Sequence, residues 1–88
     1  MNGFGRTTEG AALVGRTAKH FEHKVPVTTS DGRTSIETRF GRADLTASDD
    51  GIAIALAPID DAESADKLRD VIESHLQRFA REPLEISW

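Results

Sequence analysis

His75-Leu76-Gln77-Arg78-Phe79-Ala80-Arg81-Glu82-Pro83-Leu84-Glu85-Ile86-Ser87-Trp88 joins two kinds of periodicity at one proline. Before it, Leu68, Ile72, Leu76 and Phe79 recur at helical spacing, with Val71 and His75 beside that stripe. Pro83 ends the run, because its ring cannot continue a helix. After it, Leu84, Ile86 and Trp88 alternate with Glu85 and Ser87, the period of a half-buried strand. Acidic residues crowd the first turns of the helix, and Arg78 and Arg81 stand at its end, which matches the helix macrodipole. Asp60, with Glu63 three residues on, reads as an Asp version of the capping box that opens it after Pro58. A helix between two strands permits a right-handed crossover, returning the last strand parallel to a neighbour in the same sheet.

Upstream of Pro58 the period is 2. Val25 to Thr29 reads as a short strand and Ser30-Asp31-Gly32 as a turn. Ile36, Thr38 and Phe40 then alternate with Ser35, Glu37 and Arg39. Gly41 interrupts, Ala43, Leu45 and Ala47 resume the alternation, and Asp49-Asp50-Gly51 turns the chain again. Ile52, Ile54 and Leu56 alternate with Ala53, Ala55 and Ala57, so large apolar groups share one face. The reading is a meander of four antiparallel strands.

Before the meander, Val14, Ala18 and Phe21 follow i, i+4, i+7 on a helix expected from Thr7 or Thr8 to about Phe21, flanked by Leu13 and Thr17. Pro26 biases Val25 towards an extended conformation and stops it. Gly3 and Gly5 make residues 1–7 a flexible N-terminus, and residues 8–88 form a single domain. The expected fold is a two-layer α+β sandwich with a mainly antiparallel sheet of about five strands. Its order is helix, four strands, helix, strand, with both helices on one face.

An 88-residue chain has room for one core. The absence of cysteine removes disulfides, thiolate metal sites and thiol catalysis, and fits a cytoplasmic setting. A net charge of −4 with scattered basic residues argues against a nucleic-acid partner. No stretch approaches the roughly 18 apolar residues of a membrane span, and no apolar run follows a basic patch at the N-terminus.

The histidines are the selective side chains. His20 and His23, spaced i, i+3 at the end of the first helix, share an edge if that helix persists, and His75 reaches them if the two helices pack side by side. Three neutral imidazoles so placed are a candidate transition-metal site. The plainer account has His20 and His75 at the margins of packed stripes, each satisfied by one hydrogen bond. His23 then serves the last carbonyls of its helix. Arg78, Arg81 and Lys24 gather near helix ends and are candidates to attract an anion, or simply dipole partners. Asp49-Asp50-Gly51 lacks the alternating ligands of a calcium loop. No Gly-rich phosphate loop, nucleophile elbow or acid/base carboxylate pair stands out, so no catalytic residue is assigned and the sequence identifies no cofactor.

Lys19-His20-Phe21-Glu22-His23-Lys24-Val25, Phe40-Gly41 and the block His75 to Glu82, followed by Leu84 and Trp88, resemble the bacterial family known as domain of unknown function 2218. The resemblance runs from about Thr8 to Trp88. It departs from the family pattern at Gly3 and Gly5, where an extended opening is usual, and at Thr17, where a larger apolar residue is typical. Members occur alone or joined to siderophore-interacting flavin reductases, which implies a link to iron uptake. The leading expectation is therefore a non-enzymatic binding or accessory module whose partner is a siderophore-interacting reductase or a ferric chelate. The alternatives are a metal-binding module built on His20, His23 and His75, and a structural module that self-associates as a homodimer.

Overall fold

Apolar side chains on alternate residues of a strand fall on one side of the sheet, and here that side is the one the helices cover. The computed structural model describes residues 1–88. Its elements are β1 (Asn2–Arg6), α1 (Gly10–Phe21), β2 (Val27–Ser30), β3 (Arg33–Thr38), β4 (Gly41–Ala47), β5 (Gly51–Pro58), α2 (Ala62–Phe79) and β6 (Glu85–Ser87). The strands form one antiparallel sheet in the order β2-β3-β4-β5-β1-β6. Ile36, Leu45, Ile52, Ile54 and Leu56 point from the sheet into the core. There they meet Leu13, Val14 and Phe21 of α1 and Leu68, Ile72 and Leu76 of α2. No helix is long and apolar enough to cross a membrane.

The expected meander of four antiparallel strands forms from β2 to β5, with the first strand at Val27–Ser30 rather than Val25 to Thr29 and Phe40 in the turn after β3. Asp31 (φ 53°) and Gly32 (φ 77°) both lie in the left-handed region, and Ser30 pairs with Arg33 across them. This is the two-residue hairpin turn whose twist matches that of its strands.

Four expectations are corrected. Residues 1–7 are not a flexible tail: β1 sits inside the sheet, pairing with β5 on one side and β6 on the other, so there are six strands. The glycines allow a close approach there. A Cβ on Gly3 would lie 2.5 Å from Cε3 of Trp88, and one on Gly5 would lie 3.4 Å from a Leu84 methyl. The last strand lies against β1, antiparallel, and runs in the same direction as β5 without touching it. β1 takes the position that a crossover strand would otherwise fill.

The α2 N-cap is Asp61, not Asp60; its carboxylate accepts the Ser64 N–H at 2.9 Å, so Glu63 is not the reciprocal partner. Helix α1 begins at Gly10, with Thr7 Oγ1 accepting the Glu9 N–H at 3.0 Å just before it. Its stripe is Leu13, Val14, Thr17 and Phe21, with Ala18 only half-buried. Thr17 has no exposed surface because its hydroxyl donates to the Leu13 carbonyl one turn back, at 2.8 Å.

Candidate functional site: the seam between the two helices

Helices α1 and α2 lie side by side and run in opposite directions. Glu9 meets Arg81, Arg16 meets Phe79, and His20 meets His75 as the first ascends and the second descends. Arg16 and His20, spaced i, i+4, fall on one edge of α1, and Lys24, in the turn that follows the helix, is near enough to act on the His20 charge. His75, Arg78 and Phe79 supply the facing edge of α2.

The rings make one continuous cluster. The His20 centroid is 5.2 Å from that of His75 and 5.2 Å from that of Phe79, and His75 is 4.6 Å from Phe21. Phe21 is buried beneath, whereas His20, His75 and Phe79 are half-buried. Nδ1 of His75 donates to the Val71 carbonyl at 2.6 Å. Only a protonated Nδ1 can do so, which leaves the lone pair of the neutral ring on Nε2.

The charges that act on His20 are of one sign. His20 is held below its ordinary pKa of 6.5, first by partial burial and then by Lys24, His75, Arg78 and His23, all cationic when protonated. Arg78 lies 5.5 Å over the Phe79 ring. Arg16 donates from Nε to the Phe79 carbonyl at 3.1 Å, satisfying the end of α2, while its Nη2 is buried without a partner. Arg81 does not join: it faces Glu9 at 3.8 Å.

Of the three histidines singled out, two meet. His23 is exposed in the turn after α1, and no three His, Cys, Asp or Glu side chains are gathered as a metal would require. Arg16 and Phe79 were not read as site residues. The i, i+4 spacing of Arg16 and His20 is the signal that finds the helical part of the basic edge.

Other features are structural. Trp88 covers Gly3 and donates from Nε1 to the Glu73 carboxylate at 2.6 Å. Asp50 sits in a hairpin turn, its carbonyl accepting the Thr7 N–H. The largest cavity, about 420 Å³, lies beside the start of α1 and mixes Arg6 and Arg81 with Glu9, Asp49, Asp50 and Glu82. The sheet face away from the helices is solvated, with Ser35 and Arg42 reaching Asp44 at 2.5 and 3.4 Å.

No curated protein matches the chain. Among solved structures, the NMR structure of PA4090 from Pseudomonas aeruginosa superposes with a TM-score of 0.77 at 31% sequence identity, covering 99% of this chain and 93% of that one. The model of a family described as uncharacterized protein conserved in bacteria (DUF2218) matches residues 5–88, which takes in the last two residues of β1 as well as the two helices that form the seam. With the match taking in both helices and all of the sheet but the first three residues of β1, the chain belongs to the DUF2218 family of uncharacterized bacterial proteins.

Proposed function

We propose that the chain is a non-enzymatic binding module that works beside a siderophore-interacting flavin reductase and presents the α1/α2 seam to a ferric chelate. The observation that carries this reading is the 5.2 Å approach of His20 to both His75 and Phe79. It creates a half-buried aromatic platform with polar edges, the kind of surface on which a chelate's ring can lie. The reductase is supplied by the domain arrangements that the family resemblance implies. Because only two imidazoles adjoin, the chelate's own donors keep the iron, and the protein contributes contact and orientation.

An amide-detected NMR titration with a gallium siderophore complex, a diamagnetic stand-in for the ferric one, tests the reading. Saturable shifts at Arg16, His20, Lys24, His75, Arg78 and Phe79 are expected. A flat response to the chelate, together with a flat response to a siderophore-interacting flavin reductase, overturns it.

A second reading, a transition-metal module, is favoured by the hydrogen bond from His75 Nδ1 to the Val71 carbonyl. Such a bond orients a metal-ligating imidazole and frees Nε2. The ligands are His20, His75 and, once the turn after α1 swings inward, His23. Zinc titration then shifts all three rings at neutral pH and loses its effect in acid, where protons compete with the metal for the ring nitrogens. Zinc that leaves the His23 ring unmoved contradicts it.

A further inference from the structure

The geometry points to the seam as an anion site: Lys24 and Arg78, flanking His20 with Arg16 one turn away, select a polyanionic, oxygen-rich ligand over a neutral or cationic one. This inference rests on the seam being the binding surface, and it adds the ligand's charge. The molecule as a whole carries a net charge of −4, yet none of Arg16, Lys24 and Arg78 has a carboxylate within ion-pair distance. Arg81, further along the chain after α2, is by contrast paired, with Glu9.

Dipole matching accounts for Lys24 at the end of α1 and for Arg78 at the end of α2, each separately. It does not account for their convergence on one histidine, because antiparallel helices ordinarily place their C-termini apart. Here α1 is short, 12 residues against 18, and packs on the C-terminal half of α2, so both basic ends serve the same surface. Like charges brought together repel, and an anion seated between them removes that repulsion. Arg16 adds a guanidinium whose Nη2 has no protein partner. Phe79 and the imidazoles provide faces for the ligand's rings.

Calorimetric titration of the whole chain with three probes tests this: a trianionic gallium tris-catecholate, the cationic gallium complex of desferrioxamine B, and metal-free citrate. The catecholate complex is expected to bind at least about tenfold more tightly than the cationic complex, a difference of about 1.4 kcal/mol. Its affinity should fall as sodium chloride rises, because exposed charges are screened within about 10 Å at 0.1 M salt.

Lys24→Gln with Arg78→Gln is expected to weaken binding about tenfold or more. Arg33→Gln, which removes a cation from the opposite sheet face, should change it less than about twofold. Equal binding of the cationic complex, salt-independent binding, or an equal loss in Arg33→Gln overturns the anion inference while leaving the chelate reading standing. Citrate binding as tightly as the catecholate upholds the anion inference and overturns the siderophore part of the proposed function. Absence of binding by all three overturns both. The salt series on the unmodified protein keeps the test decisive if the double variant does not fold.

Discussion

Gly3 lies where Trp88 needs to rest. Its hydrogen is replaced in Gly3→Ala by a methyl 2.5 Å from Cε3 of the indole, so the ring must lift and its hydrogen bond to Glu73 must break. Overpacking of this kind costs roughly 1–3 kcal/mol. Denaturant unfolding should report that loss, with a red-shifted Trp88 emission in the folded state. At His20 the relevant quantity is protonation. The unfolded chain titrates near 6.5, whereas the folded one holds His20 lower, by partial burial and by Lys24, His75, Arg78 and His23. Between the two values the unfolded state binds more protons, so this residue's contribution to stability rises with pH through that window and is lost as pH falls through it. Thermal melts from pH 7.5 to 5 should therefore decline less steeply in His20→Gln than in the parent, and identical slopes would contradict the assignment. Reading the sequence located His20 and His75 because histidine is rare here and sits beside apolar stripes. It set Thr17 beside the stripe of α1 rather than within it, since a hydroxyl that bonds its own helix is invisible to a hydropathy pattern.

Between α2 and β6 the chain is held by one amide. Gln77 accepts the Leu84 N–H at 3.1 Å through Oε1 and donates from Nε2 to the Leu84 carbonyl, so a side chain does for Leu84 what a neighbouring strand does elsewhere. Leu84 is buried, and losing both bonds leaves its peptide groups without these partners. Gln77→Ala should cost about 1–3 kcal/mol and raise hydrogen exchange in β6 more than in β4. Uniform exchange across the sheet would show that the clamp does not hold β6. The start of α2 responds to acid. Asp61 is held below 3.8, chiefly by the Ser64 backbone N–H and then by its hydroxyl, so the cap stabilises above that value and is lost as pH falls through the folded pKa. Asp61→Asn, which keeps the acceptor, should flatten this acid limb, whereas Asp61→Ala should also lower the melting temperature at pH 7. Both helices and the meander were legible because their periods persist across several turns or pairs. The cap was misplaced by one residue because Asp60 and Asp61 are adjacent and chemically alike. Edge strands β2 and β6, of four and three residues, limit edge-to-edge association.

At the scale of the whole molecule, β1 decides how the sheet is completed. It joins the meander to β6, so removing residues 1–6 should expose Ile52, Ile54 and Leu84 and abolish cooperative unfolding rather than trim a tail. A truncated chain with an unchanged melting transition would refute that. This strand was hidden from sequence reading because Gly3 and Gly5 carry no apolar signal; their partners Ile54 and Ile52 supply the burial instead. The same logic explains the seam, whose basic edge is assembled from two helices far apart in the chain and becomes visible only once their antiparallel packing is known. His20 and His75 meet in the seam, and the groups acting on His20 there are cationic. Long-range proton–nitrogen NMR of the imidazoles across pH measures this directly. The prediction is a His75 ring protonated at Nδ1 when neutral, and a His20 that titrates below 6.5 and moves upward in Lys24→Gln with Arg78→Gln. A His20 that titrates at or above 6.5 and ignores the loss of both cations would contradict the account.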